Sequence, residues 1–218
     1  ASTGPVALAI DTIYHLLFSA NYTVSDISVF SYSTETGVLT NYDVVDVGGT
    51  KPYDIVVDPV TRTLFTANSS SNTVSAFTYD TDGALTAVNS YSSGGTVPKT
   101  IAIDRSKKLI FVANESSKDI GAFTYNADGE LTKASGSPFS CHGTAPRDIV
   151  IDKSLGLLFV ANKSSNTIRS FAYSSTGILT VVTGGSLSSG GTGPRAMAID
   201  TNNLIIYGAN QSSSDIKI

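Results

Sequence analysis

The sequence predicts an all-β protein made of repeated four-stranded antiparallel sheets. One phrase occurs five times: a Thr-x-Pro unit, an apolar run ending in Asp, an aromatic-x-Ala-Asn tetrapeptide and a Ser-rich turn. The tetrapeptides end at residues spaced by 47, 46, 48 and 48 positions, namely Asn21, Asn68, Asn114, Asn162 and Asn210. A period of this length, built from β-type segments, is typical of repeat architectures with one small sheet per repeat. We therefore predict a β-propeller in which each repeat forms one blade.

The second copy shows how one repeat divides into four strands. Residues 54–57 form an apolar run closed by Asp58-Pro59, and residues 63–68 and 73–79 follow, each ending in a polar turn. The first two strands are apolar on both faces, which suits strands covered on both sides. The fourth strand, residues 84–88, opens a more polar and irregular stretch, so we expect it to be the outermost.

Variation in repeat length supports this order. The apolar-run Asp and the tetrapeptide Asn are ten residues apart in every copy, whereas the stretch containing the fourth strand is 15 residues long in two copies and 17 in two others. Insertions are tolerated where a segment is exposed. We predict one domain over residues 1–218, with repeats at approximately 1–47, 48–93, 94–141, 142–189 and 190–218.

Composition narrows the class of function. The chain has 218 residues, 14 Lys and Arg against 18 Asp and Glu, and a net charge of −4, so we expect no nucleic-acid partner. It has no apolar run of about 18 residues, hence no expected membrane span. The single Cys141 excludes an internal disulfide framework. The Ala-Ser-Thr start suits a processed secreted protein or a trimmed chain, so we predict an extracellular or cell-surface location, with the periplasm as an alternative.

The tetrapeptides carry a resemblance to a known family. Phe65-Thr-Ala-Asn68 and Phe111-Val-Ala-Asn114 resemble the YVTN-type β-propeller signature. The phrases at residues 143–152, 165–171 and 136–139 are similar to the lactonase-like, 6-phosphogluconolactonase-type family of seven-bladed propellers. This resemblance implies the propeller fold. For function it implies either lactone hydrolysis or a non-catalytic scaffold, because many propellers with this repeat lack an activity.

The number of repeats in this sequence differs from the seven blades of that family. Four copies are complete, and the fifth stops at Ile218 inside its third strand. Three interpretations remain open: a piece of a longer six- to eight-bladed protein, a closed five-bladed ring with a three-stranded last blade, or a blade completed by another chain through strand addition. The last interpretation includes strand-mediated self-association.

The residue after each Thr-x-Pro unit varies in chemistry while the Thr and Pro before it do not. The position holds Val6, Tyr53, Lys99, Arg147 and Arg195, followed by Ala7, Asp54, Thr100, Asp148 and Ala196. Repeat proteins commonly place binding differences on one face, here expected at the mouth of a central channel. We predict an anionic or carbonyl-bearing ligand bound by Tyr53, Asp54, Lys99, Arg147, Asp148 and Arg195. In the alternative, the two arginines pair with adjacent Asp side chains or cap carbonyls between blades.

No complete catalytic set is evident. Lactone hydrolysis needs a base or a metal-activated water together with stabilisation of an oxyanion. His142, Arg147 and Asp148 are weak candidates for this chemistry, since no second His and no Glu with matching placement is expected to join them. Cys141-His142 lacks the spacing of a zinc site, and one Asp per repeat does not make a calcium cage, so no metal and no cofactor are predicted.

The repeated Asp and Asn residues have a structural explanation. An Asx-type turn, in which the side chain caps backbone amides, accounts for all five copies of each. The Asn residues also form Asn-x-Ser/Thr sequences, which makes Asn21, Asn68, Asn114, Asn162 and Asn210 alternative glycosylation sites in a secreted protein.

Repeat regularity without a convergent catalytic set leads to three functional hypotheses. The first is a secreted or surface-associated scaffold that binds a protein or a small carbohydrate or anionic ligand. The alternatives are a lactonase-like hydrolase acting at the channel mouth and a strand-exchanging assembly subunit.

Overall fold

The fold is an all-β propeller, as the repeat predicts. A computed structural model describes residues 3–218, and no helix occurs among them. Blade 1 contains β1 Pro5–Asp11, β2 Leu16–Asn21, β3 Asp26–Tyr32 and β4 Leu39–Asp46. Blade 2 contains β5 Pro52–Asp58, β6 Thr63–Asn68, β7 Thr73–Tyr79 and β8 Leu85–Ser92. Blade 3 contains β9 Pro98–Asp104, β10 Leu109–Asn114, β11 Asp119–Tyr125, β12 Leu131–Lys133 and β13 Phe139–Ser140.

The remaining strands complete a fourth blade and part of a fifth. Blade 4 contains β14 Pro146–Asp152, β15 Leu157–Asn162, β16 Thr167–Tyr173 and β17 Leu179–Ser188. Blade 5 contains β18 Pro194–Asp200, β19 Ile205–Asn210 and β20 Asp215–Lys217. Within every blade the strands pair antiparallel in chain order. This arrangement confirms the predicted four-stranded unit.

Irregularity is concentrated in the fourth strand, as the repeat lengths predict. In blade 3 this strand is split into β12 and β13, both of which pair with β11. In blade 4 the ladder between β16 and β17 shifts register between Arg169 and Phe171. The extra residues of these two repeats are therefore absorbed at the polar side of the sheet.

Two compact units divide the chain. One consists of the chain up to Ser93 together with Tyr125–Thr132, and the other consists of Gly94–Thr124 with Lys133–Ile218. Each unit has a buried core made by the facing sides of its blades, with Phe18, Leu64 and Phe77 in the first and Phe111, Leu158 and Phe171 in the second. The prediction of a single domain stays a prediction. The described part of the chain contains no helix long and apolar enough to cross a membrane.

The Asp that ends each first strand caps the following turn. Asp11 Oδ1 accepts the amide of Ile13 at 2.7 Å, and Asp104 Oδ1 accepts the amide of Ser106 at 3.0 Å. The other three blades repeat this contact through Asp58, Asp152 and Asp200. The predicted Asx-type turn is thus confirmed for the Asp residues.

The second oxygen of the same carboxylates links neighbouring blades. The Tyr that ends a third strand donates its hydroxyl to the Asp of the preceding blade, and we call this contact the Tyr–Asp latch. It occurs as Tyr79 to Asp11 Oδ2 at 2.7 Å, Tyr125 to Asp58 Oδ2 at 2.8 Å and Tyr173 to Asp104 Oδ2 at 2.8 Å. Each latch Tyr also packs on the tetrapeptide aromatic of the preceding blade, with ring centroids 5.0–5.2 Å apart. Hydrogen bonds of this kind to a charged acceptor are among the stronger ones in proteins.

The Asx-type turn predicted for the tetrapeptide Asn is wrong, because its side chain accepts no backbone amide of residues 3–218 and holds the end of its strand from inside the blade. Asn21 Nδ2 donates to Asp26 Oδ1 at 2.6 Å and to Ser28 Oγ at 2.8 Å, and its Oδ1 accepts from Ser19 at 3.0 Å. A glycine packs directly on this side chain in the later blades: a Cβ added at Gly143 would overlap Asn162. The same close approach relates Gly49 to Asn68, Gly95 to Asn114 and Gly191 to Asn210.

Candidate functional site

A β-bulge marks the residue after Pro in every blade. In blade 4 Pro146 pairs with Asn162 and Asp148 pairs with Ala161, so the ladder passes over Arg147. Equivalent register shifts pass over Val6, Tyr53, Lys99 and Arg195. A bulge frees its residue from cross-strand pairing and redirects the side chain, and bulges are frequent next to active sites. The variable position is therefore set apart by the backbone as well as by sequence.

Backbone strain precedes the bulge. Lys51, Val97 and Ala145, each directly before a Pro, have φ values of 56°, 58° and 54°. This left-handed region disfavours residues with a Cβ, above all a β-branched residue such as Val97. Strained backbone of this kind clusters at functional sites.

The first unit contains the two candidate residues of blade 2. Tyr53 packs edge-on against Tyr22, with ring centroids 5.9 Å apart and planes at 86°. Asp54 accepts the amide of Ile55 at 2.8 Å through Oδ1. Lys51 Nζ lies 5.4 Å from the centre of the Tyr22 ring. This surface is aromatic and carries both a cation and a carboxylate.

The second unit brings together a cluster that sequence reasoning only half identified. Arg147 Nε lies 3.2 Å from Glu115 Oε1, and Lys99 Nζ lies 4.0 Å from Glu115 Oε2. The expectation that no suitably placed Glu joins Arg147 is therefore wrong. Glu115 directly follows the tetrapeptide Asn of blade 3, a position that also varies among repeats, as Tyr22, Ser69, Glu115, Lys163 and Gln211. That variation was the signal that could have found it.

Asp148 lies beside this ion pair in a partly buried position. Its Oδ2 accepts the amide of Met197 at 2.6 Å and its Oδ1 accepts the amide of Ile149 at 2.9 Å. Thr100 donates its hydroxyl to the same Oδ1 at 3.5 Å. Burial raises the pKa of Asp148 above its ordinary value despite the lowering effect of these hydrogen bonds. The carboxylate is thereby made more basic than an exposed Asp.

The two variable positions of the repeat, the residue after the tetrapeptide Asn and the residue after Pro, meet in the same way between neighbouring blades. The residue after Asn in one blade contacts the residue after Pro in the next, as in Tyr22 with Tyr53 and Glu115 with Arg147. Blades 4 and 5 put Lys163 and Arg195 at these positions, and β15 packs on β18. Neither cation has an ion-pair partner among residues 3–218. Arg195 is exposed and lines a shallow cavity of about 600 Å³ on blade 5.

Ion pairing differs between the two arginines. Arg147 lies 3.2 Å from Glu115, and Arg195 has no acidic ion-pair partner among residues 3–218. The alternative that the arginines pair with adjacent Asp side chains or cap carbonyls between blades stays a prediction.

His142 lies apart from the cluster contacts. Its side chain is exposed, its amide is held by Ser140 Oγ at 3.1 Å, and its ring lies 6.2 Å from that of Phe171. No contact joins it to Arg147 or Asp148 among the described residues. Within residues 3–218, no three His, Cys, Asp or Glu side chains are grouped so that they could share a metal ion.

The five tetrapeptide Asn residues are buried, with exposed fractions of at most 2%. The atom that would carry a glycan, Nδ2, donates hydrogen bonds inside the blade in Asn21, Asn68 and Asn210. The structure therefore gives these residues a role in holding the strand end.

Comparison with known proteins identifies the family. The family described as "Lactonase, 7-bladed beta-propeller" matches residues 25–139, which is more than half of the chain. The chain belongs to this lactonase family. Among curated proteins, none matches the sequence.

Solved structures share the lactonase fold at low sequence identity. A functionally unknown protein from Desulfotomaculum acetoxidans DSM 771 aligns at a TM-score of 0.83 and 20% identity, over 99% of this chain and 68% of that one. The periplasmic gluconolactonase PpgL of Pseudomonas aeruginosa aligns at 0.82 and 19% identity, over 99% and 65%. A putative 6-phosphogluconolactonase from Bacteroides uniformis ATCC 8492 aligns at 0.62 and 19%, over 99% and 80%. The chain thus spans about two thirds of the first two proteins.

These findings correct the leading functional hypothesis. A non-catalytic, secreted or surface-associated scaffold is not what the lactonase family match and the gluconolactonase-like neighbours favour. They favour the alternative, a lactonase-like hydrolase. The scaffold hypothesis rested on repeat regularity without an evident catalytic set, and the family match overturns that argument.

Proposed function

We propose that this protein is a lactone hydrolase that acts at the cluster of Lys99, Glu115, Arg147 and Asp148, which we call the bulge cluster. The observation that carries the proposal is the pairing of Arg147 with Glu115 next to a carboxylate of raised pKa. Membership of the lactonase family and the likeness to gluconolactonase-like structures support it.

Hydrolysis needs a base for water and a positive charge for the oxyanion. In the proposed reaction Asp148 accepts a proton from water as the water oxygen bonds to the lactone carbonyl carbon. The Arg147 guanidinium stabilises the negative charge that develops on the carbonyl oxygen. The ring C–O bond then breaks, the proton passes to the ring oxygen, and the product is the open hydroxy acid.

Glu115 acts on this reaction through Arg147. Its carboxylate oxygen lies 3.2 Å from Nε of Arg147 without the geometry of a hydrogen bond, so the attraction between the two charges holds the guanidinium beside it. We assign Glu115 as a positioning residue. The bulge contributes as well, because it lets the adjacent side chains of Arg147 and Asp148 both reach blade 3.

The substrate proposed is the lactone of a sugar acid that carries an anionic group. Lys163 of blade 4 and Arg195 of blade 5 are the repeat equivalents of Glu115 and Arg147. Two positive charges therefore stand where the preceding pair of blades has an ion pair. An unneutralised pair of cations favours a carboxylate or phosphate ligand. The periplasmic description of one structural neighbour supports a location outside the cytoplasm.

Activity measurements test this assignment. We expect the purified protein to open a sugar δ-lactone, followed as acid release at constant pH, and Asp148→Asn to lower kcat at least 100-fold. Asp128→Asn, which alters an exposed turn carboxylate, is the matched control and should leave kcat unchanged. Because the reaction needs ionised Asp148, kcat should fall as the pH drops through the raised pKa of this group. Full activity of Asp148→Asn would refute the mechanism.

A further inference from the structure

His142 stands where the connections into other blades have glycine. Its repeat equivalents before blades 2, 3 and 5 are Gly48, Gly94 and Gly190, and all four residues have a left-handed backbone, with φ between 49° and 88°. This conformation disfavours any residue with a Cβ. A histidine is therefore present here against the local backbone preference, and the bulge cluster does not use it.

The His142 ring lies over the third strand of blade 4. In blade 2, a Cβ built on the equivalent Gly48 lies 3.8 Å from Oγ of Ser75, and Ser75 is the repeat equivalent of Arg169 in β16. The centroid of the His142 ring lies 6.2 Å from that of Phe171. Phe171 shares one face of β16 with Arg169, because alternate residues of a strand point to the same side. His142 and Arg169 are therefore neighbours.

Arg169 occupies a position that holds the tetrapeptide Asn in two other blades. In blade 2, Asn68 donates Nδ2 to Ser75 Oγ at 2.8 Å, and blade 1 repeats this contact. In blade 4, Asn162 Nδ2 donates only to a backbone carbonyl at 3.5 Å, while Asn162 Oδ1 and Arg169 Nε are both buried without a hydrogen-bond partner. A residue that leaves buried polar atoms unpaired is typical of a functional position.

No acidic group of the described chain balances these two side chains. Among residues 3–218, neither Arg169 nor His142 forms an ion pair, and no side-chain hydrogen bond involves either of them. Lys118 and Asp119, which contact the backbone before His142 from blade 3, have opposite charges. The two side chains therefore offer positive charge and N–H donors without an acceptor of their own.

We propose that His142 and Arg169 bind a tetrahedral oxyanion, a phosphate or sulfate group, beside blade 4. The Arg169 guanidinium donates its outer N–H groups to the anion, and the His142 ring donates a further N–H from the connection between β13 and β14. Donors that come from two elements suit a tetrahedral anion, which presents oxygens in several directions, better than a planar carboxylate. This site shares no residue with the bulge cluster and goes beyond lactone hydrolysis.

Titration calorimetry with inorganic phosphate tests the proposal. Each site residue can be replaced by the residue that the repeat has in blade 2, so Arg169→Ser and His142→Gly should both unfold near the wild-type temperature. We expect Arg169→Ser to weaken phosphate binding at least 10-fold and His142→Gly to weaken it at least 3-fold, as befits the loss of hydrogen bonds to a charged group. Acetate should bind the wild type at least 10-fold more weakly than phosphate.

Two matched controls come from the same chain. His15 is exposed, has a φ of 55° and packs edge-on against a tyrosine ring, and Arg105 is an exposed arginine in the turn after β9. His15→Gly and Arg105→Ser should both keep the wild-type affinity for phosphate. Glycerol 1-phosphate separates the two sources of the anion: tighter binding than inorganic phosphate indicates a phosphorylated molecule, weaker binding indicates the free ion, and either result supports the site.

Three results would overturn the proposal. The first is the absence of saturable phosphate binding, and the second is an affinity that Arg169→Ser leaves unchanged. The third is binding that Arg195→Ser abolishes and Arg169→Ser preserves, because the anion would then lie at the cations that follow the tetrapeptide Asn and the Pro.

Discussion

Removal of one Tyr hydroxyl should reveal how much a latch contributes to stability. Tyr173 is 6% exposed, and its hydroxyl donates to Asp104 Oδ2 at 2.8 Å. Its ring also contacts Phe111 and lies 4.3 Å from Lys107 Nζ. Tyr173→Phe keeps the ring and its packing, so the variant isolates the hydrogen bond.

The expected cost follows from the charge of the acceptor. A hydrogen bond to a charged group contributes about 1.5–3 kcal/mol to the free energy of unfolding. With an unfolding entropy of roughly 2.1 cal/mol/K per residue, this corresponds to a fall in Tm of about 3–7 °C for a chain of this length. Urea unfolding followed by circular dichroism gives the free energy directly. Tyr42→Phe, in which a 49% exposed ring loses its hydroxyl, is the control and should change stability by less than about 0.5 kcal/mol.

The pH dependence provides an independent check. Burial would raise the pKa of Asp104, but hydrogen bonds from Ser106, Tyr173 and Lys107 together lower it below the ordinary value. A carboxyl whose pKa is lowered by folding stabilises the protein above its unfolded pKa, and this stabilisation is lost as the pH falls through the folded pKa. Tyr173→Phe should therefore lose less stability on acidification than the wild type. Equal stability of Tyr173→Phe and Tyr42→Phe at neutral pH, with unchanged acid sensitivity, would refute the latch.

Three further substitutions test other parts of the structure. Val160→Thr should raise the free energy of unfolding by up to about 1 kcal/mol, because the buried Asn162 Oδ1 has no donor in blade 4, whereas the equivalent Asn68 in blade 2 accepts the Thr66 hydroxyl. A lower free energy of unfolding in urea would contradict this. Glu115→Gln should raise KM or lower kcat about 10-fold through Arg147 while changing stability by less than about 1 kcal/mol, and kinetics unchanged from wild type would exclude the positioning role. Gly143→Ala should lower stability by more than about 2 kcal/mol, because the new methyl overlaps Asn162, and a thermal melt identical to wild type would count against that close contact.

Local patterns were enough to predict the strands. The second and third strands of blade 2 begin and end where the turn residues place them, at Thr63–Asn68 and Thr73–Tyr79. Apolar alternation and Ser- or Asp-rich turns are patterns of only a few consecutive residues. A single sequence is therefore enough to predict where these strands begin and end. The Asx-type turn at each Asp was equally accessible, because its donors lie two or three residues away.

Contacts between blades were harder to predict. The latch joins residues 67–69 positions apart, and the recurrence of a Tyr at the end of the third strand in blades 1 to 4 was its only trace in the sequence. Glu115 and Arg147 raise the same difficulty, because they vary independently at two places of the repeat. An alignment of the five repeats, read one position at a time, does not show which variable residue of one blade contacts which variable residue of the next.

The bulge explains why this fold tolerates different chemistry in each blade. A residue inside the ladder must fit a cross-strand neighbour, and a change there is felt in the packed core. Arg147 is passed over by the ladder, so its replacement by Tyr, Lys or Val in other blades leaves the pairing of Pro with Asn intact. The price is a strained residue before Pro in blades 2, 3 and 4, such as Val97 with a φ of 58°, whereas blades 1 and 5 have Gly4 and Gly193 there. Strain and variability therefore occur together at the start of the first strands in blades 2, 3 and 4, and this coincidence adds to the support that the Arg147–Glu115 pair gives to a reacting site at the bulge cluster.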